Sequence, residues 1–274
     1  MRVLALLAAL ALAAPAAAQF NINLNRLLDV GKNVQKATSE VDEKEEIEIG
    51  RDMAARLLGA APLAADDALQ RYVNHIGRWL ALQTERPGLP WRFGVLDAPQ
   101  LNAFATPGGH IFVTRGLVAR MQNEAELAGV LAHEIAHVLR KHHLKAIQKA
   151  AQLELANTVI GTVARRDDAS NRREKLLAAG SELFARGLDK EDELEADRLG
   201  VVIAARGGYD AYGLPAVLQT LQAMNPADSG LALMFKTHPS TAERLEALGT
   251  MQPTLDAYAG LPQLAQRFAG TVRR

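Results

Sequence analysis

His133-Glu134-Ile135-Ala136-His137 sits inside an apolar run, with Leu127-Ala128-Gly129-Val130-Leu131-Ala132 before it and Val138-Leu139 after it, and this stretch decides how the chain is read. In a helix, residues four apart lie on one face a turn apart, so the two imidazoles point the same way. That spacing suits two ligands of a tetrahedral zinc, with Glu134 as the base that activates water. Bare imidazoles and an ionised glutamate would be costly to bury in so apolar a setting. A metal and a water cavity remove that cost.

A catalytic zinc takes three protein ligands and keeps a fourth position for water. The third ligand has to come from elsewhere in the chain. His142 and His143 follow the motif, but cationic side chains in the last turn of a helix have an ordinary explanation in its dipole. The acidic cluster Glu191 to Asp197 is the better source. Glu193 and Asp197 are four apart and share a helix face, whereas Glu195 points elsewhere. Glu193 then serves as the third ligand, and Asp197 hydrogen-bonds a ligating histidine, which fixes its tautomer and raises its basicity. One zinc ion per chain is expected.

The chain has 274 residues, nearly half of them apolar, enough to bury a sizeable core in one domain with short extensions. Basic and acidic residues balance at 31 each, so no net field draws it to nucleic acid or to an anionic membrane. The absence of cysteine excludes disulfides, thiolate ligands, a thiolate nucleophile and the acylated cysteine of a lipoprotein. Arg2, the apolar run Val3 to Ala14, and Pro15-Ala16-Ala17-Ala18 read as a signal peptide cleaved after Ala18. The mature protein is expected to be soluble and exported, and periplasmic in a Gram-negative source.

Along the chain, residues 1–18 form the signal peptide, 19–44 an N-terminal arm, 45–250 the catalytic domain and 251–274 a C-terminal helical extension. Ile47, Ile49, Met53, Leu57 and Leu58 recur at helical spacing until Gly59 and Pro62. A second helix follows from Asp66 through Leu69, Tyr72, Val73, Ile76, Leu80 and Leu82. β-Formers in Trp91 to Leu96 and Asn102 to Thr114 predict a strand and then a hairpin turning at Thr106-Pro107-Gly108-Gly109. Helices are predicted over Asn123 to Lys145, onward to Val163, over Lys175 to Arg186, and over Asp189 to Arg206, the last stopped by Gly207-Gly208. The fold class is α+β, mainly helical: a zincin-like domain with the H-E-x-x-H helix, a small sheet with an active-site edge strand, and a second ligand-bearing helix.

His133-Glu134-Ile135-Ala136-His137 followed by Glu193-Leu194-Glu195-Ala196-Asp197 resembles the zinc peptidase family that includes the CAAX prenyl protease, HtpX and the periplasmic chaperone-proteases of the BepA type. Ile49-Gly50, Leu69-Gln70-Arg71-Tyr72-Val73, the run Leu101 to Thr114, and Thr237-His238-Pro239 match as well, so the resemblance covers about Glu45 to Leu248. It implies that the first glutamate of the E-x-x-x-D pattern is the third zinc ligand, in agreement with Glu193 over Glu195. The transmembrane helices of the prenyl protease and of HtpX have no counterpart here, and no tetratricopeptide-like tail follows Leu248. Prenylated substrates and that tail's partners are therefore not implied.

The expected reaction is peptide-bond hydrolysis, with Glu134 taking the proton of the attacking water and returning it to the leaving amine. An edge strand over Asn102, Ala103, Phe104 and Ala105 would pair with the backbone of an extended peptide, so unfolded or extended polypeptides are the expected substrates in envelope protein quality control. Peripheral association with membrane proteins is a further expectation. The alternative is a chaperone or binding module with weak or latent peptidase activity. His238, ahead of the capping box Ser240-Thr241-Ala242-Glu243, is a candidate active-site residue with two open roles. It could donate to the oxyanion of the tetrahedral intermediate, or it could cap the fourth zinc position.

Overall fold

A computed structural model describes residues 41–161, 176–178, 180, 187–224, 231, 238 and 240–272; within the helix that ends at Gly161, the side chains from 154 onward are not part of the description. The stretch read as a signal peptide, nearly all of the expected arm, the polar segment 165–174 and most of the helix expected over Lys175 to Arg186 lie outside the described residues. Within that last stretch, 176–178 and 180 are helical.

Helix α1 (Glu43–Ala60) begins where the Asp42 carboxylate accepts from the Glu45 amide, and α2 (Asp67–Ala81) where Asp66 caps Leu69 in the same way. Strands β1 (Arg92–Leu96), β2 (Ala103–Thr106) and β3 (His110–Thr114) form one sheet in the order β1-β3-β2. The hairpin pairs β2 antiparallel to β3, with Ala103 opposite Val113, while β1 runs parallel to β3. Among the described residues β3 is the one strand that pairs with β2, which lies at the outer side of the sheet.

A single turn, α3 (Arg115–Val118), leads to α4 (Glu124–Leu139), which carries the H-E-x-x-H motif. Every residue of α4 is buried. It is the central element, packed against α6 (Lys190–Arg206), α7 (Gly213–Gln222), α2 and β2. Gly200 permits a close approach of α6 to α4, because a Cβ there would stand 2.9 Å from the backbone nitrogen and Cα of His133. The protein is thus α+β and mainly helical, with the motif helix buried between the sheet side and α6.

The helix expected over Asn123 to Lys145 is two helices. It stops at Leu139 with Arg140 as its C-cap, and Lys141 adopts a left-handed φ of 56° before α5 (His142–Gly161) begins. His142 and His143 consequently open a new helix and do not close the old one.

The hairpin turn is seated on α1. A Cβ at Gly50 would lie 1.6 Å from the carbonyl oxygen of Pro107, so only glycine allows this contact. Beside it, the Glu46 carboxylate is fully buried and accepts from the Gly108 amide (3.3 Å), while pairing with Arg86 (2.9 Å) and Lys141 (3.2 Å).

Helices α8 (Thr241–Gly249), α9 (Gln252–Ala257) and α10 (Ala265–Val272) complete the described chain. Ser240 caps α8 by accepting from the Glu243 amide, the first half of the expected box, and its hydroxyl donates to the Glu243 carboxylate. Within the region read as an extension, Phe268 of α10 is fully buried and Arg267 clasps Glu124 at the start of α4. Tyr72 and Tyr209 donate their hydroxyls to the same carboxylate at 2.6 and 2.8 Å. Arg267 and the two hydroxyls outweigh the effect of burial and hold Glu124 below the usual carboxylate range.

Candidate metal centre

His133 and His137 project from one face of α4, and α6 brings Glu193 opposite them. The two Nε2 atoms lie 3.0 Å apart, Glu193 Oε2 is 3.6 Å from His133 Nε2, and Oε1 is 3.5 Å from His137 Nε2. All three side chains are buried. Four donors around a metal at about 2.0–2.2 Å stand roughly 3.3–3.6 Å apart; the two Glu193 distances fall at that spacing and the two imidazoles stand somewhat closer, so the group is of the size of a tetrahedral site. His133 Nδ1 lies 2.9 Å from Asp197 Oδ1, which, as an ionised carboxylate, can only accept, so Nδ1 carries a proton. Against burial and Arg244, the carboxylates of Asp197 and Glu193 raise the protonation of His133 above its usual range in the absence of a cation, and a metal at Nε2 would take the place of the second proton.

Asp197 is itself held. The guanidinium of Arg244, from α8, donates through Nε to Oδ2 (2.8 Å) and through Nη2 to Oδ1 (2.5 Å). Burial alone would raise the Asp197 carboxyl, but Arg244 and His133 keep it well below its ordinary range. Burial also opposes ionisation of Glu193, and the adjacent His238 overcomes this and lowers its carboxyl to about 2. For Glu134 burial dominates the nearby positive charges and raises its carboxyl above the ordinary value. For His137, burial and the neighbouring imidazoles push protonation well below its usual range, which leaves a ring nitrogen lone pair available to a cation.

A cleft opens beside this group, lined by Asn102, Ala103, Phe104, Glu134, His143 and His238 among others. The predicted edge-strand residues and the predicted base thus share one cleft, with Ala105 continuing along β2. The side-chain amide nitrogen of Asn102 is buried without a hydrogen-bond partner among the described residues, while its carbonyl oxygen accepts from Ala103 N–H. His238 reaches the group through Nδ1, 2.7 Å from Glu193 Oε2.

Three neighbours of the group are not expected from the sequence. Arg244 lies in an amphipathic helix start, where nothing local marks a buried guanidinium. His142, expected as a helix-end cation, is buried with Nδ1 3.0 Å from His137 Nδ1. His143 packs edge-on near the His137 ring, and burial lowers its protonation to about 4. Glu195 does face away from the three candidate ligands, as its helix phase requires, but it meets His142 at 3.3 Å and Arg140 at 3.0 Å.

Similarity to known proteins agrees with this geometry. The beta-barrel assembly-enhancing protease of Yersinia pestis is 30% identical over 225 residues, covering 80% of this chain and 46% of that protein. Its counterpart from Escherichia coli strain K12 is 28% identical over 240 residues, covering 82% and 47%. The mitochondrial metalloendopeptidase OMA1 of Arabidopsis thaliana is 30% identical over 162 residues, covering 59% and 31%. The chain spans about half the length of the beta-barrel assembly-enhancing proteases it matches. The profile of Peptidase family M48 matches residues 67–252, a span that runs from α2 through both helices of the metal group to the start of α9. With the motif helix, the helix that carries Glu193 and most of the described fold inside that match, the chain belongs to peptidase family M48.

Proposed function

We propose that this protein is a zinc-dependent endopeptidase that cleaves unfolded or extended polypeptides in envelope protein quality control. The observation that carries this reading is the buried group of His133, His137 and Glu193, with Glu134 on the wall of the adjoining cleft. Family membership implies a divalent metal there, and an all-nitrogen-and-oxygen set with two imidazoles favours zinc. When bound, zinc supplies Lewis-acid polarisation of the scissile carbonyl and lowers the pKa of a water.

The chain's own residues do the rest. Glu134 accepts the proton from the attacking water and delivers it to the leaving amine, so the peptide bond is exchanged for a carboxylate and an amine. Its raised carboxyl suits that traffic, since it can hold the proton between the two steps. Asp197 fixes the His133 ring, and Arg244 fixes Asp197. The outer edge of β2, which pairs with no other strand among the described residues, would offer backbone groups to an extended substrate, and the buried Asn102 amide is a donor for a substrate carbonyl. These features support a zincin-like arrangement and a clientele selected by conformation.

His238 we assign to capping the site at rest, because its Nδ1 already engages Glu193 on the rim of the cleft. A His238→Ala variant separates this from the oxyanion role. Loss of an oxyanion donor costs roughly 10²–10³ in kcat, whereas loss of a cap raises basal activity or speeds metal removal by chelators. No described helix is long and apolar enough to cross a membrane. Export by way of the leader belongs to the same proposal, and a mature start at Gln19 in mass spectra would support it.

The decisive experiment compares zinc content and casein degradation for wild type and Glu134→Gln. Full zinc with cleavage lowered by about 10²–10⁴ supports the assignment. Bound zinc with no Glu134-dependent cleavage would move the protein to a chaperone or binding role.

A further inference from the structure

We propose that His142 and Glu195 form a relay that fixes the tautomer and orientation of His137, the counterpart for that ring of what Asp197 does for His133. This rests on the reading of His137 as a metal ligand. A ring that gives its Nε2 lone pair to a metal carries its proton on Nδ1. His137 Nδ1 faces His142 Nδ1 at 3.0 Å, a spacing at which one nitrogen donates to the other unless a cation lies between them, as in the metal reading of the equally spaced Nε2 atoms of His133 and His137. His137 donates, so His142 accepts on Nδ1 and bears its own proton on Nε2. That Nε2–H points at a carboxylate, Glu195 Oε2 at 3.3 Å, with Asp192 Oδ1 at 3.5 Å behind it. Glu195 is steadied in turn by Arg140 through Nε at 3.0 Å.

Every proton in the chain His137–His142–Glu195 therefore has one consistent position, and it ends on an acceptor that cannot donate. The two rings of the motif are thus oriented differently: His133 directly by a buried, arginine-paired carboxylate, and His137 through a second imidazole by a carboxylate that is half exposed. The helix break makes the relay possible. In an uninterrupted helix, His142 would stand five residues and about 140° around from His137. The left-handed turn at Lys141 restarts the helix and brings the buried His142 ring back against the motif face.

The test is zinc affinity at fixed pH, measured by competition with a chromophoric chelator on the full chain. His142→Ala should bind zinc about 10–100-fold more weakly, the usual effect of removing such a partner. His142→Asn should recover most of the loss, because its amide oxygen can accept near the Nδ1 position. Glu195→Ala should weaken binding less than His142→Ala, and when combined with His142→Ala it should add almost nothing. In the zinc-loaded, 15N-histidine-labelled protein, His142 should show the neutral Nε2–H tautomer. Wild-type affinity in His142→Ala, no advantage of Asn over Ala, or an Nδ1–H tautomer at His142 would overturn the relay. Should His142→Ala fail to fold, Glu195→Ala and the tautomer still decide. A wild-type protein that binds no zinc would overturn the metal reading as well, while tight wild-type binding with indifferent variants overturns the relay alone.

Discussion

Replacing Arg244 by methionine removes a guanidinium and leaves a side chain of similar length, so the result isolates charge from packing. In the wild type, both oxygens of Asp197 are engaged by Arg244, and Oδ1 is shared with His133. Asp197 is 1% exposed and Arg244 6%, which leaves water little opportunity to replace the lost partner. Breaking one side of a buried pair costs about 3–5 kcal/mol, and because His133 still bonds the carboxylate, about 3 kcal/mol is expected. For a domain of this size, at about 2–4 °C per kcal/mol, the melting temperature of the metal-free protein should fall by roughly 6–12 °C. Urea denaturation in excess chelator is the matching equilibrium assay. Asp197→Asn in the Arg244→Met background should cost at least about 1 kcal/mol less than the sum of the single changes. A variant within about 0.5 kcal/mol of wild type would refute the argument, because that is the size of an ordinary surface substitution.

Other perturbations test separate parts of the site. Glu193→Ala should lower zinc affinity more than Asp197→Ala, for which a loss of about 10–100-fold is expected, and a zinc titration with the reverse ranking would exchange their assigned roles. Gly200→Ala should drive α4 and α6 apart at His133, costing about 1–3 kcal/mol in denaturation and weakening zinc together with it, since Glu193 and Asp197 ride on the displaced helix. Unchanged stability and affinity would mean that the helices have slack there. The folded-state carboxyls of Glu193 and Asp197 are both depressed, so their stabilisation of the metal-free protein is complete above the ordinary values near 4 and declines as pH falls, that of Glu193 being lost through about 2 and that of Asp197 lower still. Acid titration followed by circular dichroism should show net proton uptake on unfolding in that window, and stability independent of pH between about 4 and 2 would contradict the assignment.

What is legible in the sequence is local. The shared face of His133 and His137, the shared face of Glu193 and Asp197, and the exclusion of Glu195 from it all follow from phase within one helix. The hairpin is marked by Pro107-Gly108-Gly109, whose two glycines do take positive φ. Alternation and turn residues cannot announce that β1 lies parallel to β3, because that neighbour is set by packing against α2 and not by any signal in the strand. Lys141 shows a different blind spot. Nothing in Arg140-Lys141 favours a left-handed residue, so an unbroken helix is the natural reading, and in it His142 points away from the motif face. Arg244 and His238 meet the site through contacts 47 and 45 residues distant in sequence, where no periodicity reaches.

The buried Glu46 carboxylate ties together α1, the tip of the β2–β3 hairpin, Arg86 and the residue at the helix break. A loop pinned in this way has little conformational entropy left to lose. If β2 receives substrate along its outer edge, the template is already ordered, and nearly all of the ordering cost falls on the incoming peptide. Binding would then discriminate by how readily a segment can be drawn straight. Stiff, already extended stretches would be taken in preference to flexible ones of the same composition, and compact domains would be spared without the enzyme reading their sequence.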